Sequence, residues 1–444
     1  MAERIRTLMY DQQRRRGTAG EALAAPLLRV VPIMARWPWY IQVSAIYISA
    51  RFVSWCIFVA VARHQGPSPW GDGEPGYLQF INIWDAEWYH RIYSGGYPGE
   101  IPRDASGDAL TNAWAFYPLF PLLVRVLAFI TGMPWVAAAP LFATIAGLGA
   151  MLVIFKLFRL VDSRMRRRPI HLHAPEDSAL PGAQRSSHEN ALWGVALVST
   201  FPVSPILQVP YAESLHLVLL AASLYLLLRR DYLMAIPLVL LMCLARPAGV
   251  PFAVLAAVHL LLRILHRRTD PLPLREALKA ALLVVVSGVG AIAWPLIAWW
   301  VTGDIRAYTE TEAAWRGGGG IVPFLPWVES AQRLFGDVLG WLAPLLLVVA
   351  VVVYLDSIAV RRLGTDLRLW CGAYILYLLA FLHPQTSTFR MLVPLFPLAL
   401  ATVYVSKSRA YRSSVIVLFT LLQIVWVAWL WLWDELPGGG DYPP

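Results

Sequence analysis

Chemistry in this chain falls to a few charged residues at the edges of long apolar runs. In the stretch FINIWDAEWYHRIYSGGYP, Asp85 is flanked by Trp84 and Trp88. A carboxylate partly stripped of water by indole rings accepts a proton more readily, as a general base must. Glu87 and His90 follow, and a helical segment would set them on one face, either as a brace for the loop or as substrate contacts. They lack the further ligands of a metal site, so neither a metal nor another cofactor is expected. Glu213 follows Pro210 at the start of an apolar run, where the helix dipole favours an acid. Arg246 lies in LARPAGVP, and His383 and Arg390 lie in HPQTSTFRMLVP, again at the ends of apolar runs. A guanidinium so placed either reaches lipid phosphates or grips a ligand phosphate bidentately. A charge in or beside a membrane span costs about 2.5–3.5 kcal/mol on insertion scales, which marks these positions as functional. Asp85 thus reads either as a proton acceptor or as a solvated loop acid, and Arg246 and Arg390 either as a phosphate clamp or as lipid-facing cations.

Those residues need a scaffold, and composition says what kind. The 444-residue chain is 58% hydrophobic and 15% charged, with 20 Trp, whereas a soluble domain carries about 25% charged residues. The pattern is that of an all-α polytopic membrane protein, and it excludes a soluble domain behind a signal peptide. The net charge of +9 does not indicate a nucleic-acid binder, because the basic residues cluster at the ends of apolar runs. Cys56, Cys243 and Cys371 lie inside apolar segments without paired or metal-ligand spacing, so they read as packing residues. Lysine appears only at 156, 279 and 407 among 37 Lys+Arg, a bias of GC-rich genomes that points to a bacterial plasma membrane.

Arginines 4, 6, 14, 15, 16, 29 and 36 precede the first run, so segment 1–39 is expected in the cytoplasm. The polytopic region is 40–433, with about eleven spans near 40–62, 136–158, 191–209, 214–228, 232–245, 248–265, 278–301, 338–355, 367–382, 391–405 and 413–433. Outer loops are expected at 64–134 and 302–337, and an outer tail at 434–444. The apolar stretch Trp114 to Ile130 contains Arg125, and counting it as a span would put Arg164, Arg166, Arg167 and Arg168 outside. It therefore reads as an interfacial or re-entrant helix at the end of the large first loop. The segment 159–190 reads as a flexible cytoplasmic loop, and the run Gly317 to Gly320 as a linker or a lid hinge. With this topology every candidate residue falls at the outer face. No period of 20–50 residues repeats, and no interrupted helices recur in two halves, which weighs against an inverted-repeat transporter.

At these residues the sequence resembles the GT-C superfamily of polytopic glycosyltransferases, specifically the GPI mannosyltransferase II (PIG-V) family and its bacterial relatives. The resemblance rests on WDAEWYHRIYSGGYPGE (84–100), AFYPLFPLLVR (115–125), PYAESL (210–215), ARPAGV (245–250) and HPQTSTFR (383–390), in the family's order. It implies a GT-C-like fold, a polyprenyl-phosphate mannose donor, a lipid or glycan acceptor and a metal-independent inverting transfer. It also implies a first-loop aspartate at the reaction centre, which corresponds here to Asp85. The chain departs from the eukaryotic pattern at Arg246-Pro247-Ala248-Gly249, where that pattern has Arg-Ser-Asn-Gly. Transfer of another sugar from the same carrier, a sugar-lipid transporter and a non-catalytic assembly subunit are the competing expectations.

Overall fold

The computed structural model describes residues 36–167, 181–316, 322–435 and 444, and within them the protein is helical with no strand. The N-terminal arginines before Arg36, the arginine at 168, Gly317 to Gly320 and most of the tail lie outside the described residues. The main helices are α1 (Trp39–Ala62), α2 (Asp85–Gly95), α3 (Leu119–Thr131), α4 (Trp135–Arg167), α5 (Pro181–Thr200), α6 (Glu213–Arg229) and α7 (Tyr232–Ala245). They continue with α8 (Gly249–Leu265), α9 (Leu274–Thr302), α10 (Ala307–Trp315), α11 (Leu325–Leu355), α12 (Thr365–Phe381), α13 (Pro397–Val405) and α14 (Arg409–Trp426).

Among the described residues, five helices are long and apolar enough to cross a bilayer: Trp39–Ala62, Trp135–Met165, Leu274–Thr302, Leu325–Leu355 and Arg409–Trp431. A sixth candidate is the pair Thr386–Leu395 and Pro397–Val405, bent by 78°. Four other expected spans are shorter: α7 has 14 residues, and α6, α8 and α12 have 17 each, while the span expected at 191–209 is interrupted where α5 ends at Thr200. At 1.5 Å per residue such helices cover about 20–26 Å, short of a hydrocarbon core of about 30 Å. Proline decides several boundaries. Pro247 forces the preceding Arg246 into extended backbone (φ −160°, ψ 160°) and so ends α7.

The most extensive packing joins α4 to α5 and α6, and α9 to α7 and α8, around one continuous apolar core. Helices α8 and α9 touch through Gly249, where an added Cβ would lie 2.6 Å from the Cα of Ala291. Small residues permit this close approach where lipid and protein interior are equally apolar.

Both ends of the expected flexible loop 159–190 are helical, because α4 continues to Arg167 and α5 begins at Pro181; positions 168–180 lie outside the described residues. Buried Asp162 explains this: it accepts hydrogen bonds from Ser187 and from Asn190 Nδ2 (3.1 Å), and Arg412 Nη2 in turn donates to Asn190 Oδ1 (3.1 Å). The two segments expected as outer loops also hold helices among the described residues. In the first, Arg125 donates to the carbonyls of Ile92 and Tyr93 and so caps the C-terminal end of α2. A separate cluster of Ile101, Trp114, Tyr117, Trp294, Ala298 and Ala307 ties the first segment to α9 and α10.

Candidate active site

A cavity of about 450 Å³ opens where α2, α6, the end of α7, α10 and the segment around Arg390 meet. Asp85, Glu213, Arg246, His383 and Arg390 all line it, although distant parts of the sequence supply them.

Asp85 opens α2, where an acid in the first turn meets the positive end of the helix dipole. The preceding Trp84 adopts a left-handed backbone (φ 62°), a conformation that costs a bulky L-residue about 1–3 kcal/mol. Burial offsets that strain: the Trp84 indole packs on Trp70 with centroids 5.2 Å apart, and its Nε1 donates to the Trp431 carbonyl at 2.8 Å. The backbone N–H of Asp85 donates to the Tyr211 hydroxyl at 3.0 Å, fixing the start of the helix against α6.

The other charged groups come from helix ends. Glu213 is the first residue of α6, Arg246 caps α7, and Arg390 sits in the 3-10 segment Thr386–Leu395. Tyr374 donates to the Met391 carbonyl (3.0 Å) and Trp370 Nε1 to the Pro394 carbonyl (2.9 Å), which holds that segment against α12.

These four side chains form one ionic chain. Arg390 Nη1 bonds Asp85 Oδ2 at 2.5 Å and Glu213 Oε1 at 3.4 Å, while Arg246 Nη1 bonds the same Glu213 oxygen at 2.6 Å. Two carboxylates and two guanidiniums cancel, as burial demands of charges shielded from water. The Tyr211 ring lies under the Arg390 guanidinium at 5.3 Å, adding a cation–π contact. Hydrogen-bonding capacity is left over: Glu213 Oε2, Arg390 Nε and His216 Nδ1 are buried without a partner.

Two expected contacts lie away from the cavity, and the setting of Asp85 gains a partner. Trp84 packs on Trp70 as described, and Trp88 stacks on Phe116 at 5.7 Å. The neighbour that the Asp85 carboxylate meets is Arg390. Glu87 does not line the cavity; its carboxylate is bound by Arg91 and by Trp70 Nε1 (2.8 Å). His90 is exposed and stacks on Trp135 at 5.5 Å, also away from the cavity.

Sequence reasoning passed over several lining groups. His216 lies one helical turn beyond Glu213, a spacing that could have revealed it. Tyr211, inside the PYAESL stretch beside Glu213, does not line the cavity but supports it from behind, through the Asp85 backbone and the Arg390 guanidinium. Tyr308, Glu312, Trp315 and Arg316 come from α10 and its end and line the same cavity; no local pattern separates them from ordinary loop residues. Glu312 pairs with Arg316 at 3.3 Å, and burial pushes its carboxyl above the usual glutamate range against the opposing pull of Arg316 and the Tyr308 hydroxyl.

No family model matches this sequence, and no curated protein matches it significantly.

Proposed function

We propose that this protein is a membrane-embedded glycosyltransferase that moves a mannosyl residue from polyprenyl-phosphate mannose to a hydroxyl of a lipid or glycan acceptor, with inversion. One observation carries the reading: Asp85, Glu213, Arg246 and Arg390 converge from four separate elements on one cavity. The ionic chain gives that cavity a proton acceptor beside two groups suited to a phosphate.

In the proposed reaction the acceptor oxygen attacks the anomeric carbon from the face opposite the phosphate. Its proton passes to Asp85 as the new C–O bond forms, and the bond to the phosphate oxygen breaks with its electron pair. The departing polyprenyl phosphate gains negative charge, which Arg390 and Arg246 stabilise; preorganised electrostatics of this kind is commonly the largest single contribution to a rate. Entry of the phosphate also draws Arg390 away from Asp85, which leaves that carboxylate free to take the proton. Glu213, His216 and His383 orient sugar hydroxyls and the arginines.

Under this reading the cavity opens at the outer face of a bacterial plasma membrane with the N-terminus in the cytoplasm, and the shorter helices complete a GT-C-like bundle of about eleven crossings. The same cavity would serve another sugar on the same carrier, which a panel of polyprenyl-phosphate sugars distinguishes.

The test uses purified protein in lipid nanodiscs with polyprenyl-phosphate mannose and a lipid extract as acceptor source, following release of polyprenyl phosphate. Asp85→Asn is expected to lower turnover by about 10²–10⁴-fold, the usual worth of general-base catalysis, while undecaprenyl phosphate binding stays within about two-fold. Full turnover by that variant removes Asp85 from the role.

A further inference from the structure

The ionic chain occupies only part of the cavity, and α10 furnishes a second polar group of different character. Glu312 lines the cavity with Arg316 beside it, the nearest nitrogen 3.3 Å away. Tyr308 and Trp315, from the same helix, line the cavity with it. The wall is built rather than loose. The Tyr308 and Tyr117 hydroxyls meet at 3.2 Å, Asn112 Nδ2 donates to Thr311 Oγ1 at 3.0 Å, and Trp315 Nε1 donates to the Asn112 carbonyl at 3.2 Å. Trp315 is further fixed edge-on against Trp88 at 5.2 Å and Phe116 at 5.4 Å. Arg103 joins the same two segments from outside by bonding Asp304 (2.9 Å) and Glu310 (2.6 Å).

We propose that Glu312, Tyr308 and Trp315 form the acceptor subsite of the cavity, and that the acceptor is a neutral polyhydroxylated ring, a sugar or polyol headgroup. This deepens the transferase reading and rests on it. A carboxylate accepts hydrogen bonds from hydroxyl pairs, a tyrosine hydroxyl both donates and accepts, and an indole packs on the C–H face of such a ring. An anionic headgroup is disfavoured at Glu312 by like charge and is drawn to Arg390 and Arg246 instead. Two sets of lining groups thus sort the two ligands: phosphate to the ionic chain, polyol to α10.

Binding is measured on the full-length protein in nanodiscs of phosphatidylcholine and phosphatidylglycerol. Two probes are used: radiolabelled octyl mannopyranoside below its micellar concentration, and undecaprenyl phosphate. Glu312→Gln keeps the size and hydrogen-bonding shape of the side chain but loses the charge; it is expected to weaken mannoside binding about ten-fold and leave undecaprenyl phosphate within about two-fold. Tyr308→Phe, which keeps the ring, is expected to act in the same direction and serves as the second variant if Glu312→Gln fails to fold. Mannoside binding unchanged in the folded variants, or loss of both probes to the same degree, overturns the subsite. A wild-type protein that binds undecaprenyl phosphate but no mannoside also overturns the subsite and leaves the transferase reading standing. A wild-type protein that binds neither overturns both.

Discussion

The cavity holds its acids in two ways. On the side of α2 and α6, Asp85 and Glu213 are bound within a chain of two carboxylates and two guanidiniums, with Glu213 only 3% exposed. On the side of α10, Glu312 pairs with Arg316 at 3.3 Å outside that chain, and both partners remain more than a fifth exposed. The first arrangement is rigid and costly to break, because removing a member strands a buried charge. The second holds its carboxylate through Arg316 and the Tyr308 hydroxyl, partners that the proposed acceptor would exchange with. One wall stores charge, and the other offers it.

The largest expected effect comes from breaking the rigid wall. Arg390→Ala leaves Asp85 and Glu213 facing each other and should destabilise the folded protein by about 3–5 kcal/mol, whereas Arg316→Ala should cost about 0–1 kcal/mol. Thermal unfolding of both variants in nanodiscs reads the contrast; equal losses would abolish the distinction between the walls. In whatever fraction of Arg390→Ala remains folded, undecaprenyl phosphate binding should fall more than mannoside binding.

An intermediate effect is expected from acidification. Glu312 takes up its proton at a pH where an ordinary glutamate, with a pKa of about 4.3, is still ionised, because burial raises it. Mannoside binding that needs the ionised carboxylate should therefore be present at neutral pH and fall as pH drops through a midpoint above about 4.3. Glu312→Gln should flatten this profile. A wild-type midpoint at or below the ordinary value would contradict it.

The smallest effect concerns the outer brace. Glu87→Gln and His90→Ala change groups that do not line the cavity, so binding of either probe should move by less than about two-fold, the scale of surface substitutions. A ten-fold loss in either variant would extend the site to the far side of α2.

Much of the helical order was legible in the residues. The breaks at Pro210 and Pro247 put the starts and stops of α6 and α7 within a residue or two of expectation, since a proline removes a donor and constrains its predecessor whatever the surroundings. The expectation that Asp85, Glu213, Arg246, His383 and Arg390 gather also matches the cavity lining. Glu87 was misplaced for a local reason. Once α2 begins at Asp85, a residue two positions on is turned by about 200°, so the two acids point to different sides of the helix.

The sequence by itself determined where the chain is apolar, where its helices must end, and that its charges collect at those ends, because these follow from solvation and from backbone geometry within a few residues. Only the tertiary structure decided which charge meets which. Arg390 reaches Asp85 across 305 positions and Arg246 reaches Glu213 across 33, while α10 turns Glu312 toward the same cavity. A buried ion pair depends on the packing of whole helices around it, and no stretch of residues encodes that packing alone.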